Sequence, residues 1–265
     1  MQSAGTSSKC DLVYLAHGRP EFTAASLAAL GENTNWERVG RMLIYTDGAL
    51  MRNGMVPPPS IPLHLLSFCH KHVGGPVGTM NDYLANSLAP IWAKIDNDVI
   101  VPPGWLDACL AVMDDHDELD LLGIEPPLSR TPAPWSGGVR AEAPENYRGL
   151  RADGWPTYAR CEAIGGIGLF RSRAWQGRRE MVPHSTYGGF TDWQLKYRAA
   201  LVRCGIGNPL VIGWIVPPLK LFLLDRLPME PWASLSAGYI AAKEQRTWTN
   251  YSTAEAHKLA GWWLK

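Results

Sequence analysis

The sequence Ile-Trp-Ala-Lys-Ile-Asp-Asn-Asp-Val-Ile-Val-Pro-Pro-Gly-Trp occupies residues 91–105. Its apolar run at residues 91–95 predicts a buried strand, which delivers two carboxylates, Asp96 and Asp98, at its carboxyl end. Neighbouring carboxylates repel each other, and burying them costs several kcal/mol unless a cation compensates them. Because a hard divalent cation that also holds phosphate oxygens is the usual partner of such a pair, the stretch predicts a metal site.

Strand-like and helix-like segments alternate through the first half of the chain. Buried strands are predicted at residues 11–16, 42–46, 63–68, 91–95 and 119–124. Helices are predicted at residues 20–30, with Gly31 as the stop, and at residues 77–88 and 105–113. This alternation predicts an α/β fold with a mostly parallel central sheet flanked by helices. Ligands of such sheets bind beyond the carboxyl ends of the strands, which is where His17, Asp47 and Asp96 fall.

Composition and charge limit the classes of protein that this chain can belong to. Its 265 residues suffice for one large domain, and a net charge of zero gives no global attraction to nucleic acid or membranes. Five cysteines without a C-x-x-C pair indicate neither a zinc site nor a disulfide framework. No secretory leader is evident, and no apolar run reaches the roughly 18 residues of a membrane helix. We therefore expect a cytoplasmic protein without a membrane span.

The second half of the chain departs from this alternation. Residues 125–160 are rich in proline and carry tryptophans, including Trp135 and Trp155, which is typical of a binding loop. A glycine-rich strand is predicted at residues 163–170, where another backbone or a ligand can approach closely. A helix is predicted at residues 188–205.

Five short motifs follow one another in an order that resembles the GT-A glycosyltransferases, most closely the inverting family 2, over roughly residues 10–205. Three of them are Gly-Arg-Pro-Glu at 18–21, similar to Y-N-R-P-E, Tyr-Thr-Asp-Gly at 45–48, similar to V-D-N-G-S, and Gly-Thr-Met-Asn at 78–81, similar to G-x-x-x-A-R-N. The others are Asp-Asn-Asp at 96–98, similar to the D-x-D signature, and Thr-Asp-Trp at 191–193, where the family carries E-D-x-D/W.

The resemblance implies a metal-dependent transfer of a sugar from a nucleotide-sugar donor to a hydroxyl. It implies that Asp98 ligates a divalent Mn²⁺ or Mg²⁺ ion directly and that Asp96 contacts the metal or the donor ribose. Asp192 would be the general base that takes the proton of the acceptor.

The resemblance also assigns the lining of the site and the organisation of the chain. The nucleotide-sugar pocket would be lined by His17, Gly18, Arg19, Glu21, Asp47, Asn81, Asp96 and Asn97, and the acceptor would contact Trp135, Trp155 and Trp193. One domain is expected at residues 1–228, with a nucleotide-sugar half at 10–125 and an acceptor half at 126–228, followed by a C-terminal extension at 229–265.

Two positions depart from the family pattern. The family carries an acidic residue directly before the base, whereas this chain has Thr191 there. Many members supply a metal-binding histidine downstream of the base, but the histidine after Asp192 in this sequence is His257, in the tail. Asp225 is the candidate for the third metal ligand in its place.

The acceptor stays open between two classes, with a UDP-sugar as the simplest donor for both. One class is a hydroxyl on a glycan, a lipid-linked sugar or a protein. The other is a hydroxymethylated pyrimidine base in DNA, as in phage-type DNA-modifying transferases. Nine arginines against four acidic residues at 128–179, interleaved with aromatic residues, favour the base. The zero net charge opposes it, because binding to duplex DNA depends on neutralising phosphates.

Other functions fit some of the same residues. A nucleotidyltransferase has a related sheet and metal site, but it would carry a glycine-rich phosphate loop with Arg and Lys, which residues 17–21 match poorly. A non-catalytic sugar-binding module could use the 12 tryptophans, but it would need neither the Asp96 and Asp98 pair nor Asp192. These residues also have purely structural explanations. Residues 96–98 could form a solvated turn, and Asp192 could serve no purpose other than to complement a helix dipole.

Overall fold

The computed structural model describes residues 9–16, 19–46, 56–70, 75–87, 89–124, 156–160, 167–175 and 211–216, with positions 164, 219, 222–224, 230–231, 234–235 and 237. Several predicted site residues lie outside these described residues, namely His17, Gly18, Asp47, Trp135, Trp155, Asp192, Trp193 and Asp225. The predicted helix at 188–205 and most of the predicted binding loop lie outside them too.

The described residues contain helices and strands in alternation through the first half of the chain. The helices with described bounds are α1 (Pro20–Asn33), α2 (Gly75–Asn86) and α3 (Trp105–Asp115). The strands are β1 (Cys10–Ala16), β2 (Val39–Thr46), β3 (Leu66–His70), β4 (Ile91–Asp96), β5 (Val99–Ile100), β6 (Leu121–Gly123), β7 (Thr157–Arg160), β8 (Gly168–Arg171), β9 (Ile212–Val216) and β10 (Phe222–Leu223). None of the helices in the described ranges has the length and apolar character needed to cross a bilayer.

Eight of these strands form one sheet in the order β3-β2-β1-β4-β8-β6-β9-β7. Strands β3, β2, β1 and β4 run parallel to one another, and β6 runs parallel to β9. Strand β8 lies antiparallel between β4 and β6, and β7 lies antiparallel against β9. The predicted α/β fold is confirmed. Its sheet is mixed, because the second half of the chain adds two antiparallel strands to the predicted parallel arrangement.

Helices cover both faces of the sheet. On one face, side chains of β1 such as Tyr14 pack with side chains of α1 such as Leu27, and α3 adds to the same cluster. On the other face, Trp92 of β4 lies between Tyr83 of α2 and Phe170 of β8, with ring centroids 5.0 Å and 4.6 Å away. Burying each such aromatic side chain contributes about 2–3 kcal/mol. The two clusters hold β4 rigidly in the centre of the sheet.

The structure corrects several predicted boundaries, including that of the glycine-rich strand predicted at 163–170, which forms β8 only from Gly168. The predicted strand at 63–68 begins only at Leu66, because residues 63–65 form a 3₁₀ turn. The first helix does not stop at Gly31 but continues to Asn33. A Cβ at Gly31 would meet the Ser60 side chain and would lie 3.2 Å from Cγ1 of Ile61. Glycine at position 31 therefore allows a close approach between α1 and the segment before β3.

Candidate functional site

The order of the strands reverses between β1 and β4. The chain proceeds from β1 through β2 to β3 on one side, and β4 then pairs with the opposite side of β1. Because β1 and β4 are parallel, with Leu15 opposite Asp96, both strands end at the same edge of the sheet. Such a switch point leaves a crevice at the carboxyl ends in which ligands bind. Arg19, which follows β1, and the turn at residues 96–98 both stand at this crevice.

Lys94 and Asp96 form an ion pair at the end of β4. Residues two apart on a strand point to the same face, and Lys94 Nζ lies 2.6 Å from Asp96 Oδ1. The Lys94 side chain is 3% exposed, whereas Asp96 keeps 34% of its side-chain surface. Burial raises the pKa of Asp96, Lys94 opposes that rise, and the charge of Asp98 adds to it. The run interpreted as apolar therefore contains a buried cation that is paired with the first carboxylate.

Arg19 binds the second half of the turn. Its Nη2 donates to Asp98 Oδ2 and to Asn97 Oδ1, each at 3.1 Å. Its guanidinium carbon lies 4.9 Å from the centroid of the Phe22 ring, within cation–π range. The φ of Arg19 is 52°, a left-handed conformation that costs a non-glycine residue about 1–3 kcal/mol. The Arg19 carbonyl accepts hydrogen bonds from the amide and the hydroxyl of Thr23, and these bonds help to hold the strained backbone conformation.

Thr23 joins the turn at residues 97–98 to the start of α1. Its Oγ1 accepts a hydrogen bond from Asn97 Nδ2 at 2.8 Å and donates one to Arg19 O at 3.1 Å. Its backbone amide also donates to Arg19 O at 3.1 Å. Thr23 and Asn97 are both buried, so these bonds are made where an unpaired polar group would be costly. The site is thus connected through buried side chains from α1 to the carboxylates.

A short strand pair holds the backbone that leaves the turn. Strand β5 pairs antiparallel with β10, with Val99 opposite Leu223. The Leu224 amide donates to Asp98 O at 2.7 Å. Asp225, the candidate third ligand, is the next residue in the sequence and lies outside the described residues.

The donor chemistry of Asp96 and Asp98 fits the predicted divalent cation. Carboxylate oxygens are hard ligands of the kind that Mg²⁺ and Mn²⁺ prefer. Among the residues that the structure describes, no group of three or more Asp, Glu, His or Cys is placed to hold a metal ion. Two carboxylates still suit a cation that also binds a phosphate-bearing ligand, because Mg²⁺ is usually held by one or two carboxylates plus substrate phosphates. Lys94 and Arg19 compete with such a cation for the same oxygens.

Four residues predicted from the sequence are brought together by the structure: Arg19, Asp96, Asn97 and Asp98. Glu21 lies in the first turn of α1 and is exposed. Asn81 lies within α2, and its side chain is not among those described.

The sequence interpretation did not single out Lys94 or Thr23. A lysine inside an otherwise apolar run, two residues before an aspartate, is a usable signal, because residues i and i+2 share one face of a strand. Thr23 has no comparable signal, because its partner Asn97 is 74 positions away in the sequence.

GalNAc-T7 and S. aureus TarS are among the proteins whose solved structures are similar to this chain. GalNAc-T7, solved with UDP, GalNAc and Mn²⁺, has a TM-score of 0.53 and 11% sequence identity over 78% of this chain and 42% of that one. Residues 1–349 of S. aureus TarS give a TM-score of 0.49 and 13% identity, with 97% of this chain and 70% of that chain covered. A longer S. aureus TarS chain also gives a TM-score of 0.49 and 13% sequence identity, with 96% of this chain and 42% of that chain covered.

The likeness to GalNAc-T7 establishes that the chain has a GT-A-like fold. The chain spans less than half of the GalNAc-T7 chain. No protein-family model and no curated protein sequence matches this sequence significantly.

Proposed function

We propose that this chain is a metal-dependent, inverting glycosyltransferase that moves a sugar from a nucleotide sugar to a hydroxyl. The observation that carries the proposal is the meeting of Arg19 with the Asp96-Asn97-Asp98 turn at the switch point between β1 and β4. A carboxylate pair beside a guanidinium at the carboxyl edge of a GT-A-like sheet suits the diphosphate of a nucleotide sugar.

The residues at the switch point would act on the leaving group. Asp96 and Asp98 would hold a divalent cation, which would neutralise the negative charge that develops on the nucleoside diphosphate. Asn97 and Thr23 hold the two carboxylates in place through their buried hydrogen bond of 2.8 Å. Asp225 would complete the ligand set. Its neighbour Leu224 supports this role, because the Leu224 amide donates to Asp98 O at 2.7 Å.

The chemical step transfers the sugar with inversion. The acceptor oxygen forms a bond to the anomeric carbon while the bond from that carbon to the diphosphate oxygen breaks. The proton of the acceptor passes to a base on the opposite face of the sugar, and we propose Asp192 for this base. The nucleoside diphosphate then leaves with both electrons of the broken bond.

The donor and the acceptor are proposed at the level of chemical class. A UDP-sugar is the proposed donor, and the presence of UDP in the GalNAc-T7 structure supports that choice. The proposed acceptor is a hydroxyl on a glycan, a lipid-linked sugar or a protein, approached through Trp135, Trp155 and Trp193. The zero net charge of the chain favours this class over a base in duplex DNA.

The proposal is tested by incubating the purified chain with UDP-sugars and Mn²⁺ or Mg²⁺ and measuring the UDP released. We expect release that requires the cation and that falls at least about a hundredfold in Asp98→Ala. Asp107→Ala is the matched control, because Asp107 is also an ion-paired aspartate, 3.6 Å from Arg38, but lies on α3 away from the switch point. It should leave the rate unchanged.

The products separate the competing functions. Pyrophosphate released from a nucleoside triphosphate would contradict the proposal and indicate a nucleotidyltransferase. Sugar binding without any turnover, unchanged in Asp98→Ala, would indicate a binding module. An acceptor panel that contains both glycans and hydroxymethylated DNA identifies the acceptor, and transfer to the DNA alone would overturn the proposed acceptor class.

A further inference from the structure

The chain itself balances the charge of the Asp96-Asn97-Asp98 turn. Lys94 Nζ lies 2.6 Å from Asp96 Oδ1, and Arg19 Nη2 lies 3.1 Å from Asp98 Oδ2. These two carboxylates and two cations sum to zero charge. A divalent cation that approaches the turn therefore gains little net attraction until one of the internal cations gives way.

The two internal cations differ in their freedom to leave. Lys94 is 3% exposed and reaches Asp96 from within the same strand, so moving it away would leave a buried charge without its partner. Arg19 is 20% exposed, its Nη2 contacts Asp98 and Asn97, and its guanidinium lies over the Phe22 ring, so it is less enclosed than Lys94.

The backbone of Arg19 is held by hydrogen bonds that do not involve its guanidinium. The carbonyl of Arg19 accepts from both the amide and the hydroxyl of Thr23, each at 3.1 Å, and Pro20 follows directly. A change in the contacts of the guanidinium therefore leaves the hydrogen bonds of the first turn of α1 in place.

We infer that Arg19 is an exchangeable counter-ion of this site and that Lys94 is a permanent one. Arg19 neutralises Asp98 in the ligand-free chain and turns to the diphosphate of the donor when a divalent cation occupies the carboxylates. Lys94 stays with Asp96 in both states. This inference rests on the proposed function, because it requires a diphosphate and a divalent cation at the same site.

Two electrostatic effects favour the exchange. A guanidinium that stayed 3.1 Å from Asp98 would lie close to a divalent cation on that carboxylate, and the two positive charges would repel each other. The diphosphate offers Arg19 new acceptors, because guanidinium and phosphate form strong charge-assisted hydrogen bonds. The exchange would couple the two ligands, so that each binds more tightly in the presence of the other.

The test measures two affinities on the full chain by calorimetry, namely Mn²⁺ without nucleotide and UDP at saturating Mn²⁺. We expect Arg19→Met to bind Mn²⁺ about threefold to tenfold more tightly than the wild type, because a competing cation is gone. We expect it to bind UDP about tenfold more weakly, because a phosphate partner is gone. An increase in the affinity for Mn²⁺ together with a decrease in the affinity for UDP would indicate exchange.

A control and a second variant keep the test decisive. Arg38→Met is the matched control, because Arg38 is also 20% exposed and pairs with Asp107 and Asp114 on α3, and it should change neither affinity. A second variant, Asp98→Asn, weakens the ion pair between Arg19 and Asp98 by removing the charge of Asp98, and it leaves Arg19 itself unchanged. With a chelator present, we expect it to bind UDP about threefold more tightly than the wild type, because Arg19 is already released.

Each other outcome would overturn the inference. Tighter Mn²⁺ binding with unchanged UDP binding in Arg19→Met would make Arg19 a static counter-ion. Weaker binding of both ligands would make Arg19 a residue that only positions the carboxylates. Equal UDP binding by Asp98→Asn and wild type under chelation would also contradict the exchange. A wild-type chain that binds neither Mn²⁺ nor UDP would overturn the proposed function itself, and this inference with it.

Discussion

Lys94 and Asp96 share one face of β4, with 2.6 Å between Lys94 Nζ and Asp96 Oδ1, and the lysine side chain is 3% exposed. An ammonium group buried to this extent needs a carboxylate partner, because removing one member of a buried pair leaves the other charge uncompensated. Asp96 keeps 34% of its surface, so water screens part of the interaction. The pair therefore stabilises the strand end only when both members are present.

Lys94→Met should destabilise the fold, and a second substitution should restore much of the loss. Because Asp96 is partly exposed, we expect a decrease of about 2 kcal/mol in the free energy of unfolding, below the range for a fully buried pair. Urea denaturation measures this change. Lys94→Met with Asp96→Asn should recover at least about half of the loss, because no unpaired charge remains. Equal losses in the single and double variants would contradict the ion-pair explanation. Lys9→Met, at an exposed lysine, is the control.

A second prediction concerns Tyr83, which helps to hold the buried carboxylate of Asp11 at the start of β1. Asp11 Oδ2 accepts from Arg41 Nε at 2.7 Å and from Tyr83 OH at 3.0 Å. Burial raises the pKa of Tyr83, and the charge of Asp11 adds to that rise, so the phenol stays neutral and donates. We expect Tyr83→Phe to cost about 1–2 kcal/mol of unfolding free energy, because a buried charge loses a donor.

Tyr158→Phe is the matched control for this prediction. Its hydroxyl also donates to a carboxylate, Glu118 at 2.9 Å, but that bond is exposed to solvent. We therefore expect it to cost about 0–0.5 kcal/mol by the same denaturation measurement. Similar losses for the two variants would show that burial does not decide the strength of these bonds.

The local part of the site could be predicted from the sequence. Asp96 and Asp98 follow an apolar strand, and β4 pairs with β1, so the pair stands at the carboxyl edge of the sheet as expected. The same description of residues 91–95 as apolar concealed Lys94. Burial of a lysine depends on a partner whose side chain shares its face, and a hydrophobicity pattern contains no information about such partners.

The long-range part could not be predicted. Strand β8 pairs antiparallel with both β4 and β6, and no feature of its Gly-Leu-Phe-Arg sequence specifies either partner. The contact of Thr23 with Asn97 likewise joins residues 74 positions apart. Both features depend on how the sheet assembles, whereas sequence patterns report mainly on local periodicity.

A third prediction concerns Gly168, the strand residue that stands opposite both Lys94 and Gly123 in the central sheet. A Cβ at this position would lie 2.6 Å from Leu122 O and 2.7 Å from Cδ1 of Ile164. Because a backbone oxygen cannot move aside cheaply, we expect Gly168→Ala to cost about 2–3 kcal/mol of unfolding free energy. Gly40→Ala is the comparison variant, and we expect it to cost less, because its Cβ would approach a side-chain oxygen of Asp11, at 3.0 Å, and not a backbone oxygen. A neutral Gly168→Ala would contradict this packing.

The last prediction is that the hydroxyl of Thr23 matters to catalysis through Asn97 and Arg19. Thr23→Val keeps the shape of the side chain but removes the buried hydrogen bond of 2.8 Å from Asn97 Nδ2 to Thr23 Oγ1. We expect a loss of about 1–2 kcal/mol in unfolding free energy. We also expect a fall of about tenfold in kcat/KM for cation-dependent UDP release, because the turn that carries the carboxylates loses one of the bonds that position it.

Two comparison variants separate this positioning role from a general loss of stability. Thr23→Ser keeps the hydroxyl and should restore most of the activity. Thr34→Val removes another buried threonine hydroxyl, one that accepts from Trp105 Nε1 at 3.0 Å just after the other end of α1. It should lower stability by a similar amount while leaving kcat/KM unchanged, because the partner of Thr34 lies on α3 and not in the turn. Equal activity losses in Thr23→Val and Thr34→Val would mean that Thr23 acts on stability alone.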